Sequence, residues 1–310
     1  MQKVMLAMAD RLKLSTIYCR RLTRARARNF YYGFLLLPRP RRDAFCAVYA
    51  FMRYCDDVAD GSDAPPVKAT LLRNWREALG RALEGDYGES RILPAFHAAV
   101  QRYSIPREYF YELIAGAEMD LDIRSYRTFA DLHQYCYRVA SVVGLCSVHI
   151  LGFHEASRKA AALKLAEDCG LAFQLTNILR DLREDAQSGR VYVPLEDLER
   201  FGYSVDELRA GTYNAQFHDL MRFEIDRARS YYDRAEGLIE MVEPESRPAL
   251  WTLISIYRGI LSRIESSGGD VFSRAAALSR REKIEVLLEA AARQLRQKAG
   301  LEPGWQRFRA

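Results

Sequence analysis

The chain has 310 residues, 49% of them apolar, with 46 basic against 41 acidic side chains and a net charge of +5. That length and apolar content give one large domain with a real core, and they exclude a disordered or collagen-like chain. Gly and Pro are few (18 and 10), and no run of apolar residues is long enough to span a bilayer, so an all-α protein without a transmembrane segment is expected.

The first segment, residues 1–25, is basic. Ten Arg or Lys and no acid lie between Asp10 and Asp43. Asp10 and Arg11 fall where a secretory leader would need an apolar run, so a cytoplasmic location is expected. The basic segment is a candidate for peripheral contact with the inner face of the cell membrane. Helical periodicity then covers about 41–60. Between Pro65-Pro66 and Gly85, Leu71, Leu72, Trp75, Leu79 and Leu83 recur at three- and four-residue steps. Further helices are expected over about 107–122, 130–153, 157–187, 212–240, 245–266 and 280–299, with Pro94, Pro106 and Pro194 at helix starts. Arg190-Val191-Tyr192-Val193 is the best strand signal and is too short to build a sheet. The expectation is a single helical bundle.

Six cysteines are scattered without a CxxC pair, which points to buried thiols and not to a zinc site or a disulfide framework. Dinucleotide, Walker and HExxH fingerprints are missing. Two acidic clusters stand out: Asp56-Asp57-Val58-Ala59-Asp60, and Asn177 to Asp185 with Asp181 between them. Residues four apart share one helix face, so Asp56 stacks on Asp60, and Asn177, Asp181 and Asp185 form a second row. One such pair alone reads as ordinary helix-end acid. Two of them, each interrupting an apolar helix beside an arginine, need a compensating cation. Oxygen donors without His or Cys select Mg²⁺ or Ca²⁺, and Mg²⁺ joins one or two carboxylates to substrate phosphates. Aromatic residues flank both clusters (Phe30, Tyr31, Tyr32, Phe34, Tyr49, Phe51, Tyr54, then Tyr135, Tyr137, Phe173); such a stripe is usually core packing, and beside metal-diphosphate machinery it also suits a dry pocket for a carbocation.

Five segments in this order resemble the squalene/phytoene synthase family of head-to-head prenyl diphosphate synthases. They are NFYYGFLLLP (29–38), AVYAFMRYCDDVAD (47–60), YCYRVASVVG (135–144), AFQLTNILRDLREDAQSGRVYVP (172–194) and IYRGIL with DVFSR (256–261, 270–274). The resemblance spans a core of about 29–281 within one domain, 1–310, and implies an isoprenoid-synthase-type bundle around a central cavity. It implies that Asp56, Asp60, Asn177, Asp181 and Asp185 bind Mg²⁺, that these aspartates and Tyr135 act in catalysis, and that Asn29, Tyr49, Arg53, Gln174, Arg180, Tyr257 and Arg274 meet substrate. Arg190 and Tyr192 fall on the segment resembling a flap over the site.

The wording of NFYYGFLLLP and YCYRVASVVG is more similar to bacterial hopanoid-pathway synthases. Two farnesyl (C15) diphosphates giving presqualene diphosphate or squalene are therefore the expected chemistry, with NADPH needed only if squalene is the final product. The alternative is condensation of two geranylgeranyl (C20) diphosphates to phytoene. A chain-elongating prenyltransferase would carry DDxxD in both clusters, and the second cluster here does not. A catalytically silent helical scaffold would have lost a metal-binding Asp, and none is lost. The arginines of 20–28 belong to no nucleic-acid module, so no nucleic-acid partner is expected.

Overall fold

The computed structural model describes residues 2–27, 29–273, 276–301 and 305. In chain order the helices are α1 (Gln2–Arg26), α2 (Phe30–Phe34), α3 (Arg39–Asp60), α4 (Pro65–Leu83), α5 (Leu93–Tyr103), α6 (Glu108–Asp122), α7 (Phe129–Cys136) and α8 (Val142–Leu151). There follow α9 (Lys159–Gln187), α10 (Leu195–Arg200), α11 (Val205–Ala210), α12 (Ala215–Arg234), α13 (Leu238–Met241), α14 (Arg247–Ser266) and α15 (Arg280–Lys298). Among the described residues no strand forms, and only two isolated bridges occur, Ser125 with Val191 and Phe153 with Val242.

Local chemistry sets the helix ends. Prolines open α3, α4, α5 and α14, where the missing N–H costs nothing. Thr128–Asp131, Ser204–Glu207 and Ser279–Glu282 form reciprocal capping boxes at α7, α11 and α15. At the end of α3, the Gly61 N–H donates to the Val58 carbonyl and Lys68 Nζ donates to that of Ala59 at 2.9 Å. That closure holds the last turn, which carries Asp56 and Asp60.

The expected single helix over 130–153 is split by a π-helical turn, Tyr137–Ser141. Its wider backbone is pressed against α9, where a Cβ on Gly170 would stand 2.5 Å from the Ala140 carbonyl oxygen. Ser141 Oγ donates to the Glu167 carbonyl at 2.9 Å and ties the turn to the same helix. α9 is the axial helix, packed by α7, α8, α11, α12, α13 and α14. α1, α4, α5 and α6 wrap α3, where Phe51 stacks on Phe96 at 4.3 Å and on Trp75 at 5.2 Å. Thus Phe51 and Tyr54 belong to packing beside Trp75, not to a pocket. All six cysteines are free and buried. Among the described residues no helix is long and apolar enough to cross a membrane.

Candidate active site

α3 and α9 turn their acidic rows toward one another across a cavity of about 490 Å³. Asp56 and Asp60 line it from α3; Asn177, Asp181 and Asp185 line it from α9. Tyr49, Arg53, Gln174, Arg180, Tyr135, Arg190 and Tyr192 also face it, so the positions singled out in distant parts of the sequence converge. Away from the acids the wall is aliphatic and aromatic, with Phe30, Phe34, Leu113, Val143, Leu250 and Leu253 among its residues. One end of the hollow suits an anion with its counter-cation and the rest suits a hydrocarbon chain.

Charge at the polar end is unbalanced. Five aspartates (Asp56, Asp60, Asp120, Asp181, Asp185) face three arginines (Arg53, Arg180, Arg190). The arginines are partly engaged. Arg53 Nε donates to Asp57 at 2.8 Å, Arg180 Nε to Asp181 at 2.7 Å, and Arg190 Nη1 to Asp60 at 3.3 Å. The last pair links the two motifs directly. Asp56 touches the open space of the cavity, yet it lies deep among protein atoms. That depth comes first, and Asp60 and Asp120 add to it against the pull of Arg53; together they push its carboxyl up to about 7. Burial, then Asp181, push Asp185 up to about 7 against Arg190. Carboxylates held this far above their ordinary range are short of positive charge.

A divalent cation meets that need. Asn177 Nδ2 donates to Gln174 Oε1 at 3.3 Å, while Asn177 Oδ1 is buried without a hydrogen-bond partner, an oxygen donor left over. Among the described residues no three His, Cys, Asp or Glu side chains cluster tightly enough to cage one ion. Mg²⁺ takes few protein ligands and completes its shell with water and phosphate, so it does not require such a cage. The donor set therefore fits Mg²⁺.

Asp120 is the site residue that sequence reasoning missed. It accepts a hydrogen bond from Tyr135 Oη at 3.0 Å and from Tyr192 Oη at 3.0 Å. The two phenol rings stack at 5.3 Å, with Tyr126 against both. The segment carrying Tyr192 is laced to residues 124–127: Val191 N–H donates to the Arg124 carbonyl at 2.8 Å and Leu195 N–H to that of Tyr126 at 2.9 Å. A signal existed, because Leu113, Ala117 and Asp120 fall at i, i+4 and i+7 on one face of α6, and all three line the cavity.

Two of the residues expected to meet substrate stand apart from the cavity surface. Tyr257 and Asn29 do not line the cavity. Tyr257 is buried behind Phe173, ring on ring at 4.2 Å and 5°. Burial pushes its hydroxyl up to about 12, opposed by Arg180 and by contacts to Asn177 and Asn29. Tyr257 lies behind the wall that carries Arg180 and Asn177, with the cavity-lining ring of Phe173 stacked on it. Arg274 lies outside the described residues.

The profile of the squalene/phytoene synthase family matches residues 23–282. The chain belongs to that family. It is a prenyltransferase of the isoprenoid-synthase fold. It is 38% identical over 266 residues to a 15-cis-phytoene synthase of Synechocystis, covering 83% of this chain and 79% of that protein. A phytoene synthase of Mycobacterium tuberculosis is also 38% identical, over 87% of this chain and 88% of its own. The crystal structure of a dehydrosqualene synthase superposes with a TM-score of 0.83 at 28% identity, covering 92% of this chain and 98% of that one. A squalene synthase from Alicyclobacillus acidocaldarius gives 0.75 at 30% identity, covering 83% and 95%.

Proposed function

We propose that this synthase condenses two geranylgeranyl diphosphates head to head into phytoene, using Mg²⁺. The observation that carries the choice is the 38% identity, across roughly four-fifths of both chains, to proteins named phytoene synthase. It favours the C20 alternative over the C15 expectation, which rested on the wording of two short segments. Loss of a proton ends the C20 route, so no hydride donor is required; squalene would need NADPH.

Asp56, Asp60, Asn177, Asp181 and Asp185 would hold the Mg²⁺. Bound there, the ion supplies the charge that turns a diphosphate into a leaving group. Arg53, Arg180 and Arg190 border the same space and donate charge-assisted hydrogen bonds to the diphosphate oxygens as negative charge builds on them. Phe30, Phe34 and Phe173 present ring edges and faces to the allylic cation while the aliphatic wall excludes water that would quench it. The double bond of the second substrate attacks, a cyclopropyl ring closes, and a proton leaves. The released diphosphate is the base for that proton, and Tyr135, held by Asp120, orients it. Ionisation of the cyclopropylcarbinyl diphosphate and rearrangement complete the hydrocarbon.

A second reading, C15 condensation, is favoured by the likeness to the dehydrosqualene and squalene synthase structures. Incubation with each diphosphate plus Mg²⁺, with and without NADPH, followed by mass identification of the lipid, separates them. The expected product is a C40 hydrocarbon from geranylgeranyl diphosphate without NADPH. A C30 product alone would reverse the choice.

A further inference from the structure

A cluster of three charged side chains lies outside the cavity and joins α10 to α12. Asp197 and Glu224 are each 4% exposed. Arg227 Nη1 donates to Asp197 Oδ2 at 2.7 Å and to the two Glu224 oxygens at 2.8 and 2.9 Å. Two buried carboxyls on one guanidinium leave the cluster a positive charge short, where water cannot make up the difference. Burial, then Asp197, push the Glu224 carboxyl up to about 8 against the pull of Arg227, so a proton fills the gap. Those two are the charged groups that face Glu224. Among the described residues it forms no ion pair with α9 or α14, two further helices packed on α12.

The cluster sits at the root of the two phenols that Asp120 holds. Asp197 follows Tyr192 on the segment leading out of the cavity wall, and Glu196 beside it accepts from the Phe129 N–H at 2.7 Å. Phe129 opens α7, the helix that carries Tyr135. The Arg227 guanidinium that grips Asp197 also lies 4.2 Å over the Phe129 ring. One side chain of α12 therefore touches both the segment of Tyr192 and the helix of Tyr135. A surface pair, Arg127 with Glu199, ties the same two segments, but its side chains are 64% and 61% exposed, so it adds little.

We propose that Arg227, Asp197 and Glu224 are positioning residues for the reaction, holding the segment of Tyr192 against the start of α7 so that both phenols stand at the acidic end of the cavity. The hold is firm while Glu224 is neutral. Once Glu224 ionises, two buried carboxylates repel each other and compete for one guanidinium, and the grip on Asp197 slackens. The stacked pair of Tyr135 and Tyr192 then loses its outer support. The catalytic use of the phenols rests on the condensation reading above; the hold itself rests on these contacts alone.

The test is amide hydrogen exchange of the full chain without substrate or metal. It is read at Val191 and Leu195, whose N–H groups donate to the Arg124 and Tyr126 carbonyls, as protection over the intrinsic rate at each pH. In the wild type that protection is expected to fall at least about tenfold between about pH 7 and about pH 9. Glu224→Gln, neutral throughout, is expected to keep the lower-pH protection at both. Arg227→Met is expected to lack it at both, and Glu224→Gln alone decides the case if the Met protein does not fold. Glu199→Gln, which opens the surface pair, is expected to follow the wild type, and protection in α4 to stay level in every protein. Wild-type protection in Arg227→Met overturns the inference. So does a pH-dependent fall that persists in Glu224→Gln, or a fall shared by α4. With Mg²⁺ and geranylgeranyl diphosphate, Arg227→Met is expected to lower kcat at least about tenfold with KM within about twofold, and an unchanged kcat overturns the positioning role. Because exchange needs no turnover, a wild type that makes no hydrocarbon sinks the condensation reading alone and leaves the exchange result standing.

Discussion

Asp120 holds two phenols with one carboxylate, and each of those bonds has a charged acceptor, the kind worth about 1.5–3 kcal/mol. It touches no other cavity motif by hydrogen bond, so its part is to position Tyr135 and Tyr192. Asp120→Asn is expected to lower kcat at least about tenfold with little change in KM. Combined with Tyr135→Phe, it should cost at least about 1 kcal/mol less than the two single losses added, because both remove the same contact. Steady-state kinetics on the four proteins of the cycle measure this. Asp56→Asn and Asp181→Asn belong to a different class. Each deletes charge where the proposed function gathers cation and diphosphate, so turnover should drop at least about 10²-fold with the helical circular dichroism spectrum intact. Near-wild-type turnover in either would remove that residue from the metal set.

Among the elements, the contact of the π turn with α9 is the tightest point. A Cβ at Gly170 would lie 2.5 Å from the Ala140 carbonyl oxygen and 2.7 Å from Ser141 Cα. Backbone cannot step aside as a flexible side chain can, so Gly170→Ala should destabilise by about 1–3 kcal/mol. The readout is a lower denaturant midpoint at unchanged m-value. The sequence predicts α3, α6, α9, α14 and α15 within a few residues, because each has a long apolar period closed by Pro, Gly or a capping box. The π turn is invisible to that reading. Its apolar residues continue the helical pattern, and only the neighbouring backbone of α9 makes the wider turn the better packed choice. The short signal at Arg190–Val193 was likewise real but incomplete. Its extended backbone finds a partner in residues 124–127, 60-odd positions earlier, which no local pattern reveals.

For the molecule as a whole, the buried carboxyls of the cavity couple folding to protons, and the proposed function adds a coupling to metal. Burial pushes the carboxyls of Asp56 and Asp185 up from an ordinary 3.8 to about 7. A carboxyl whose folded pKa is raised favours the fold at low pH and loses that advantage as pH climbs from its ordinary value through the raised one. The metal-free protein should therefore melt lower at about pH 8 than at about pH 5.5. If these carboxylates hold Mg²⁺ as proposed, the ion would bind their ionised form, so the rise in Tm on adding Mg²⁺ should be larger at the higher pH. Thermal scans with EDTA or Mg²⁺ at both pH values check this; an equal Mg²⁺ effect at the two would separate these carboxylates from the metal.

The helical class, the two acidic rows and the family were determined by the sequence itself, because apolar period and four-residue spacing are properties of neighbours along the chain. Tertiary structure decided that Arg190 reaches Asp60, that Asp120 joins the site, and that Tyr257 is buried behind Phe173. Those facts depend on which faces of α3, α6, α9 and α14 meet, and packing between distant segments is not written in the spacing of either one.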